Sequence, residues 1–123
     1  MTNKLAWTCV AATILLTIYG QIIIKWRVSG IVLPDAFGEK LSALGGMLAD
    51  PWVITALSGA FVASLFWMAA MTRLPLSLAY PFTSLSFVIV AALGILFMGE
   101  PFTTSKAGGI CLVVAGLVLL SRA

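Results

Sequence analysis

Uncharged apolar runs alternate with short polar joints along this chain, and each run has roughly the length of a membrane-spanning helix. Leu5 to Ile24 holds twenty residues without a charge and closes on Lys25, Trp26 and Arg27. A second run extends from Trp52 to Thr72, a third is uncharged from Leu78 to Met98, and a fourth runs from Lys106 to Leu120. At 1.5 Å of rise per residue, about 20 residues cross the ~30 Å hydrocarbon core of a bilayer. The pattern predicts an all-α membrane protein. Its four transmembrane helices, at about 5–25, 52–72, 77–98 and 104–121, form one compact antiparallel bundle spanning residues 1–123. The one long connection, Val28 to Pro51, carries Phe37, Leu41, Leu44 and Leu48 at helical spacing, which predicts a short interfacial helix between the first two spans. Asp50 before Pro51 and Trp52 should cap the second span, with the tryptophan in the aromatic belt.

Polar residues inside the runs are few and ordered. Along the first span Cys9, Thr13, Thr17, Gln21 and Lys25 recur every fourth residue. Each such step drifts by about 40° on a helix of 3.6 residues per turn, so the five form one slanted stripe. An amide and an ammonium one turn apart at a helix end can hold an anionic group; equally, the lysine can snorkel to the headgroups. In the third run Tyr80, Pro81, Thr83, Ser84 and Ser86 gather at one end, while Val88 to Met98 is uniformly apolar. Tyr80, Ser84, Phe87 and Ala91 share a helical face. Ser84 either lines a polar cavity or bonds back to the carbonyl of Tyr80. Glu100, just past the apolar run, marks a membrane surface. In the second span Ala56, Ala60 and Ser64, like Gly59 and Ala63, lie four apart and allow close backbone approach. In the fourth, Gly109 and Gly116 lie seven apart on one face, a packing surface within the chain or between chains.

Composition narrows the function. The 123 residues are 62% hydrophobic and 9% charged, against roughly 25% charged in soluble domains. Both cysteines, Cys9 and Cys111, lie in apolar spans and read as packing residues, with no disulfide or metal site indicated. There is no histidine, and the residue sets of hydrolysis, metal chemistry and phosphoryl transfer are missing, so neither an enzyme nor a cofactor is expected. A net charge of +3, spread along the chain, suggests no nucleic-acid partner. Lys4, Arg73 and Arg122 fall on the side of the termini and Lys25, Arg27, Lys40 and Lys106 on the other. That near-balance leaves the membrane orientation open.

These features resemble the small four-helix members of the drug/metabolite transporter superfamily, the EamA-like group. The likeness is carried by A-Y-P-F-x-S-L-x-F-V (Ala79 to Val88), the G-E-P turn (Gly99 to Pro101), K-A-G-G-I-x-L-x-x-x-G (Lys106 to Gly116) and G-Q-x-x-x-K (Gly20 to Lys25). Within the superfamily the chain looks most like the subunits that flip aminoarabinose-modified undecaprenyl phosphate across the bacterial inner membrane. It is more distantly similar to the small multidrug resistance exporters. Aligned on Gly20, the membrane glutamate of those exporters corresponds to Thr17, and no span here holds an acid. What carries over from them is the last-helix dimerisation motif, at Gly109 and Gly116.

The resemblance implies a flippase, or flippase subunit, for a polyprenyl-phosphate-linked sugar, working in the lipid bilayer as a homodimer or as a heterodimer with a similar subunit. A cation would replace water around the phosphate, and amide or hydroxyl groups would meet the sugar. Lys25, Gln21, Thr17, Tyr80, Ser84 and Trp67 are the candidate substrate contacts. The alternatives are a small-molecule or cationic exporter, which should place an acid in its cavity, and a non-transporting accessory subunit that scaffolds a glycosyltransferase.

Overall fold

The computed structural model describes residues 3–122. The chain is all-helical: α1 (Asn3–Val28), α2 (Phe37–Leu48), α3 (Pro51–Met71), α4 (Leu76–Phe82), α5 (Leu85–Phe97) and α6 (Thr104–Ser121). Among the described residues four helical stretches are long and apolar enough to cross a membrane: α1, α3, α6, and the path Leu76–Phe97 that comprises α4 and α5.

The pairing of α1 with α3 dominates the packing. Ala6, Cys9, Val10, Ile14 and Gly20 are buried on α1, and Val53, Ala56, Ala63 and Ala70 on α3. The alanines at 56, 63 and 70 are seven apart, two turns, so they line a single face. This face shares Ala56 and Ala63 with the small-residue pattern of the sequence, but Ala60 and Ser64 are exposed. Small side chains bring the backbones close enough that a Cβ on Gly20 would stand 3.4 Å from the carbonyl oxygen of Ala56. Two turns further down, the Thr13 hydroxyl shares its one hydrogen between its own helix, at the carbonyl of Cys9 (2.9 Å), and the carbonyl of Ala63 across the interface (3.2 Å). With lipid on both sides of an interface, such packing and polar contacts replace the hydrophobic drive of soluble cores.

The α1–α3 pair is latched at the end far from the termini. Asp50 caps α3 by accepting the backbone N–H of Trp52 at 2.9 Å, with Pro51 in the first turn, where its missing N–H is harmless. The same carboxylate accepts the Arg27 Nε–H at 2.7 Å, and Trp26 meets Trp52 edge-on with centroids 5.6 Å apart. Hydrogen bonding from Arg27 holds the Asp50 carboxyl below its ordinary value, with the Trp52 and Val53 backbone donors contributing. The amphipathic α2 forms where the spacing of Phe37, Leu41, Leu44 and Leu48 places it; all four apolar side chains are exposed.

The third span departs from a single uninterrupted helix. It breaks at Thr83 and Ser84, where backbone bonds shorten from four residues to three: Thr83 N–H to Tyr80, Ser84 N–H to Pro81, Ser86 N–H to Thr83 and Phe87 N–H to Ser84. Pro81 has no N–H to give the preceding turn. The hydroxyls of Thr83, Ser84 and Ser86 each donate to the carbonyl three residues back. Ser84 therefore bonds to Pro81, not to Tyr80, because the tightened turn brings the nearer carbonyl under its hydroxyl.

Burial falls along the chain from α1 to α6, where Leu117 is the one buried residue among those described. Cys9 lies in the core as expected, but Cys111 is exposed on α6, because that helix meets little of its own chain. The best-packed cluster (Ala6, Cys9, Val10, Ile14, Ala70, Leu74 and Ala79, flanked by Trp7 and Trp67) sits at the end of the termini. The opposite end carries Gln21, Lys25 and Glu100.

Candidate functional site

At that end, away from the termini, a cavity of about 310 Å³ lies between α1 and α5. Gln21, Ile22 and Lys25 form one wall, and Phe87, Val90, Ala91, Gly94 and Met98 the other; Glu100 closes it from the turn after α5. Gln21 and Lys25 are one turn apart on α1 and face the groove together, as the polar stripe implies. Lys25 Nζ stands 3.8 Å from Glu100 Oε1, with the two side chains 55% and 38% exposed. At that separation the ammonium and carboxylate attract but do not share a short hydrogen bond.

Glu100 is the residue that sequence reasoning misplaces. Periodicity ends at Met98 and marks Glu100 only as a surface boundary, whereas the turn folds it back over the helix. Gly99 takes φ +69°, a left-handed conformation that glycine adopts without the Cβ penalty. The Glu100 N–H then reaches the carbonyl of Gly94 at 3.2 Å. The side chain follows the same path: a Cβ on Gly94 would lie 2.8 Å from Glu100 Oε2. The missing side chain at 94 is thus the seat of the carboxylate. The usable signal is the pair of glycines preceding Glu100, Gly94 and Gly99, since each is needed for a close approach.

Glu100 also borders a second cavity, of about 370 Å³, between α5 and α6, with Phe87, Ala91, Lys106, Gly109 and Ile110 among its walls. Lys106 there donates through Nζ to the carbonyl of Pro101 at 2.8 Å. Gly109 thus faces a groove, and an added Cβ at Gly109 or Gly116 would meet nothing within 4 Å among the described residues. Of the two packing possibilities for that face, contact within the described chain is not formed.

The remaining candidates lie elsewhere. Thr17 lines a narrower groove of about 120 Å³ between α1 and α3, which Gln21 also borders, and its hydroxyl donates to the carbonyl of Thr13 at 2.7 Å. Trp67 and Tyr80 meet edge-on with centroids 6.1 Å apart, toward the end of the termini, with Tyr80 exposed. Ser84 lies between the two ends, half-buried and committed to Pro81. Lys25 and Gln21 are brought together with Glu100; Tyr80 and Trp67 form a separate aromatic pair in the other half of the bundle.

Chemically, the α1–α5 groove offers one cation, one anion and one amide in an otherwise apolar wall. No cluster of three or more His, Cys, Asp or Glu side chains suited to a metal occurs among the described residues. The groove is partly open, so a headgroup could enter while a hydrocarbon tail stayed in the bilayer.

Comparison with known proteins is consistent along the whole chain. A sequence model of the EamA-like transporter family matches residues 2–122. One relative is the probable 4-amino-4-deoxy-L-arabinose-phosphoundecaprenol flippase subunit ArnF of Pseudomonas syringae pv. syringae (strain B728a). It is 33% identical over 124 residues, covering 98% of this chain and 86% of that protein. The probable ArnF subunit of Enterobacter sp. (strain 638) is 33% identical over 113 residues, with 88% and 87% covered. The probable ArnE subunit of Pseudomonas savastanoi pv. phaseolicola (strain 1448A / Race 6) is 30% identical over 118 residues, with 96% and 98% covered. No solved structure gives a significant match.

Proposed function

Because the chain belongs to the EamA-like transporter family, and is thus a multi-pass inner-membrane protein of a transporter family, we propose that it is one subunit of a flippase for a polyprenyl-phosphate-linked sugar. The observation that carries the reading is the α1–α5 groove, where Lys25 and Gln21 stand together in an apolar wall. An anionic phosphate leaving water needs a cation and hydrogen-bond donors to replace its hydration. The Lys25 ammonium supplies the charge and the Gln21 amide a donor and an acceptor for the sugar. The relatives named as flippase subunits support the same substrate class.

The partner is a second four-helix subunit. The support is that α5 and α6 contribute little buried surface within the chain, that the Gly109/Gly116 face of α6 is open, and that both groups of relatives are named as subunits. A partner on that face would wall the α5–α6 cavity as well.

One observation favours the exporter alternative. Glu100 places a carboxylate on the cavity wall, the acid that the spans themselves lack. Its pairing with Lys25 makes the wall zwitterionic, so an organic cation alone would compete with the resident ammonium. The flippase reading uses both charges and is preferred. The test is flipping of a lipid-linked sugar in liposomes by the wild-type chain, together with its partner subunit, and by Lys25→Met. A loss of activity in the folded variant is expected; wild-type activity in it would overturn the phosphate role.

A further inference from the structure

We infer that Glu100 is a specificity-determining residue for an amine on the carried headgroup, so that the Lys25–Glu100 pair reads a zwitterion: phosphate at the ammonium, amino group at the carboxylate. The inference rests on the flippase reading and deepens it. Three observations on the chain carry it. First, the two charges share one groove, 3.8 Å apart, and neither is committed elsewhere by a hydrogen bond from its side chain among the described residues. Second, the carboxylate is placed there by two backbone devices, Gly99 at positive φ and the bare α carbon of Gly94, and so does not simply trail into solvent. Third, Gln21 adds an amide beside the pair, able to donate and accept at a sugar hydroxyl.

The discrimination follows from charge balance. A headgroup carrying only a phosphate draws Lys25 away and leaves the Glu100 carboxylate without its cation, next to a second anion. A headgroup carrying phosphate and ammonium on one sugar ring exchanges partners: each resident charge loses one opposite charge and gains another. Breaking an ion pair without replacement is costly, whereas exchanging partners is close to neutral. A cation without a phosphate fails in the mirror-image way, because it leaves Lys25 unpaired. The site therefore favours amino-sugar phosphates over neutral-sugar phosphates and over simple organic cations. The relatives' names describe a 4-amino-4-deoxy sugar on a phosphate, a headgroup with both charges.

The experiment compares two probes with the purified chain and its partner subunit in liposomes: a polyprenyl-phosphate-linked 4-amino sugar, and the same lipid with the amine N-formylated, which removes the charge and keeps the ring. Wild type should bind the free amine about two- to fivefold more tightly, the worth of one partly exposed ion pair. In Glu100→Gln the ratio should fall close to one, and in Glu100→Asp, which keeps the charge but shortens the reach, it should fall part of the way. Equal binding of the two lipids by wild type, or an undiminished ratio in Glu100→Gln, would overturn the role of Glu100 while leaving the flippase reading standing. Binding of neither lipid by wild type would overturn both.

Discussion

Lys25→Met separates a structural lysine from a substrate-binding one, because the geometry predicts a small effect on folding and a larger one on transport. The substitution keeps an unbranched apolar stem and removes the charge. At 3.8 Å, two unit charges attract by about 1.1 kcal/mol in a water-like dielectric and about 4.4 kcal/mol at an effective constant of 20. The side chains are 55% and 38% exposed, which moves the pair toward the first limit and, for exposed pairs, a net of about 0.2–1 kcal/mol. Unfolding in mixed micelles should thus shift by about 1 kcal/mol or less. A double-mutant cycle with Glu100→Gln should return a coupling of the same size. For transport the ammonium counts differently, because it must replace water around a phosphate. Losing one partner of a desolvated charge pair costs about 2–5 kcal/mol. Half-exposure lowers this to about 1–2 kcal/mol, or roughly five- to thirtyfold in flipping. Lys25→Arg should retain part of the activity, since charge survives and geometry changes. Two results would refute the reasoning: a stability loss well above 2 kcal/mol, which would make Lys25 structural, or unimpaired flipping by the folded variant.

Gly94→Ala should be neutral or stabilise the fold by up to about 1 kcal/mol through helix propensity, because the atom its Cβ would meet, 2.8 Å away, is the end of a flexible Glu100 side chain. The shifted carboxylate should alter the amine preference, and a stability loss above about 2 kcal/mol in chemical unfolding would show that Glu100 cannot yield. Thr13→Val removes the hydroxyl shared between Cys9 and Ala63; a loss of about 0.6 kcal/mol, typical of hydrogen bonds between membrane helices, is expected in the same assay, and no change would remove that bond from the account. Gly116→Leu meets open space among the described residues, so it should leave the unfolding of the single chain unchanged while weakening subunit association in native mass spectra. The Arg27–Asp50 latch is sensitive to acid. Asp50 has its folded pKa lowered below the ordinary 3.8, so its contribution is complete above that value and disappears as pH falls through the lowered one. Fluorescence of the Trp26–Trp52 pair should stay constant from neutral pH down to about 5 and change only in stronger acid, and Asp50→Asn should abolish that step.

The spans, the polar stripe on the first of them and the small amphipathic helix were legible in the sequence, because each depends on periodicity within one segment and on length relative to a bilayer. Gln21 and Lys25 fall in the same groove for that reason: one helical turn places them on one face whatever the partner helix is. What periodicity does not carry is the choice of partner and the direction of a turn. The small-residue face on α3 is Ala56, Ala63 and Ala70 rather than Ala56, Ala60 and Ser64, because the approach of α1, led by Gly20 and Thr13, selects among several small faces. The third span breaks where three hydroxyls and a proline together offer the backbone alternative partners, a cooperative effect that no single residue signals. Tyr80 and Ser84 share a face with Phe87 on paper, yet Tyr80 pairs with Trp67 in the other half of the bundle, because antiparallel packing sets the depth at which side chains can meet. Glu100 is the clearest case. Its place in the sequence shows only that the apolar run has ended, and a left-handed glycine together with a missing Cβ at Gly94 brings its carboxylate opposite Lys25.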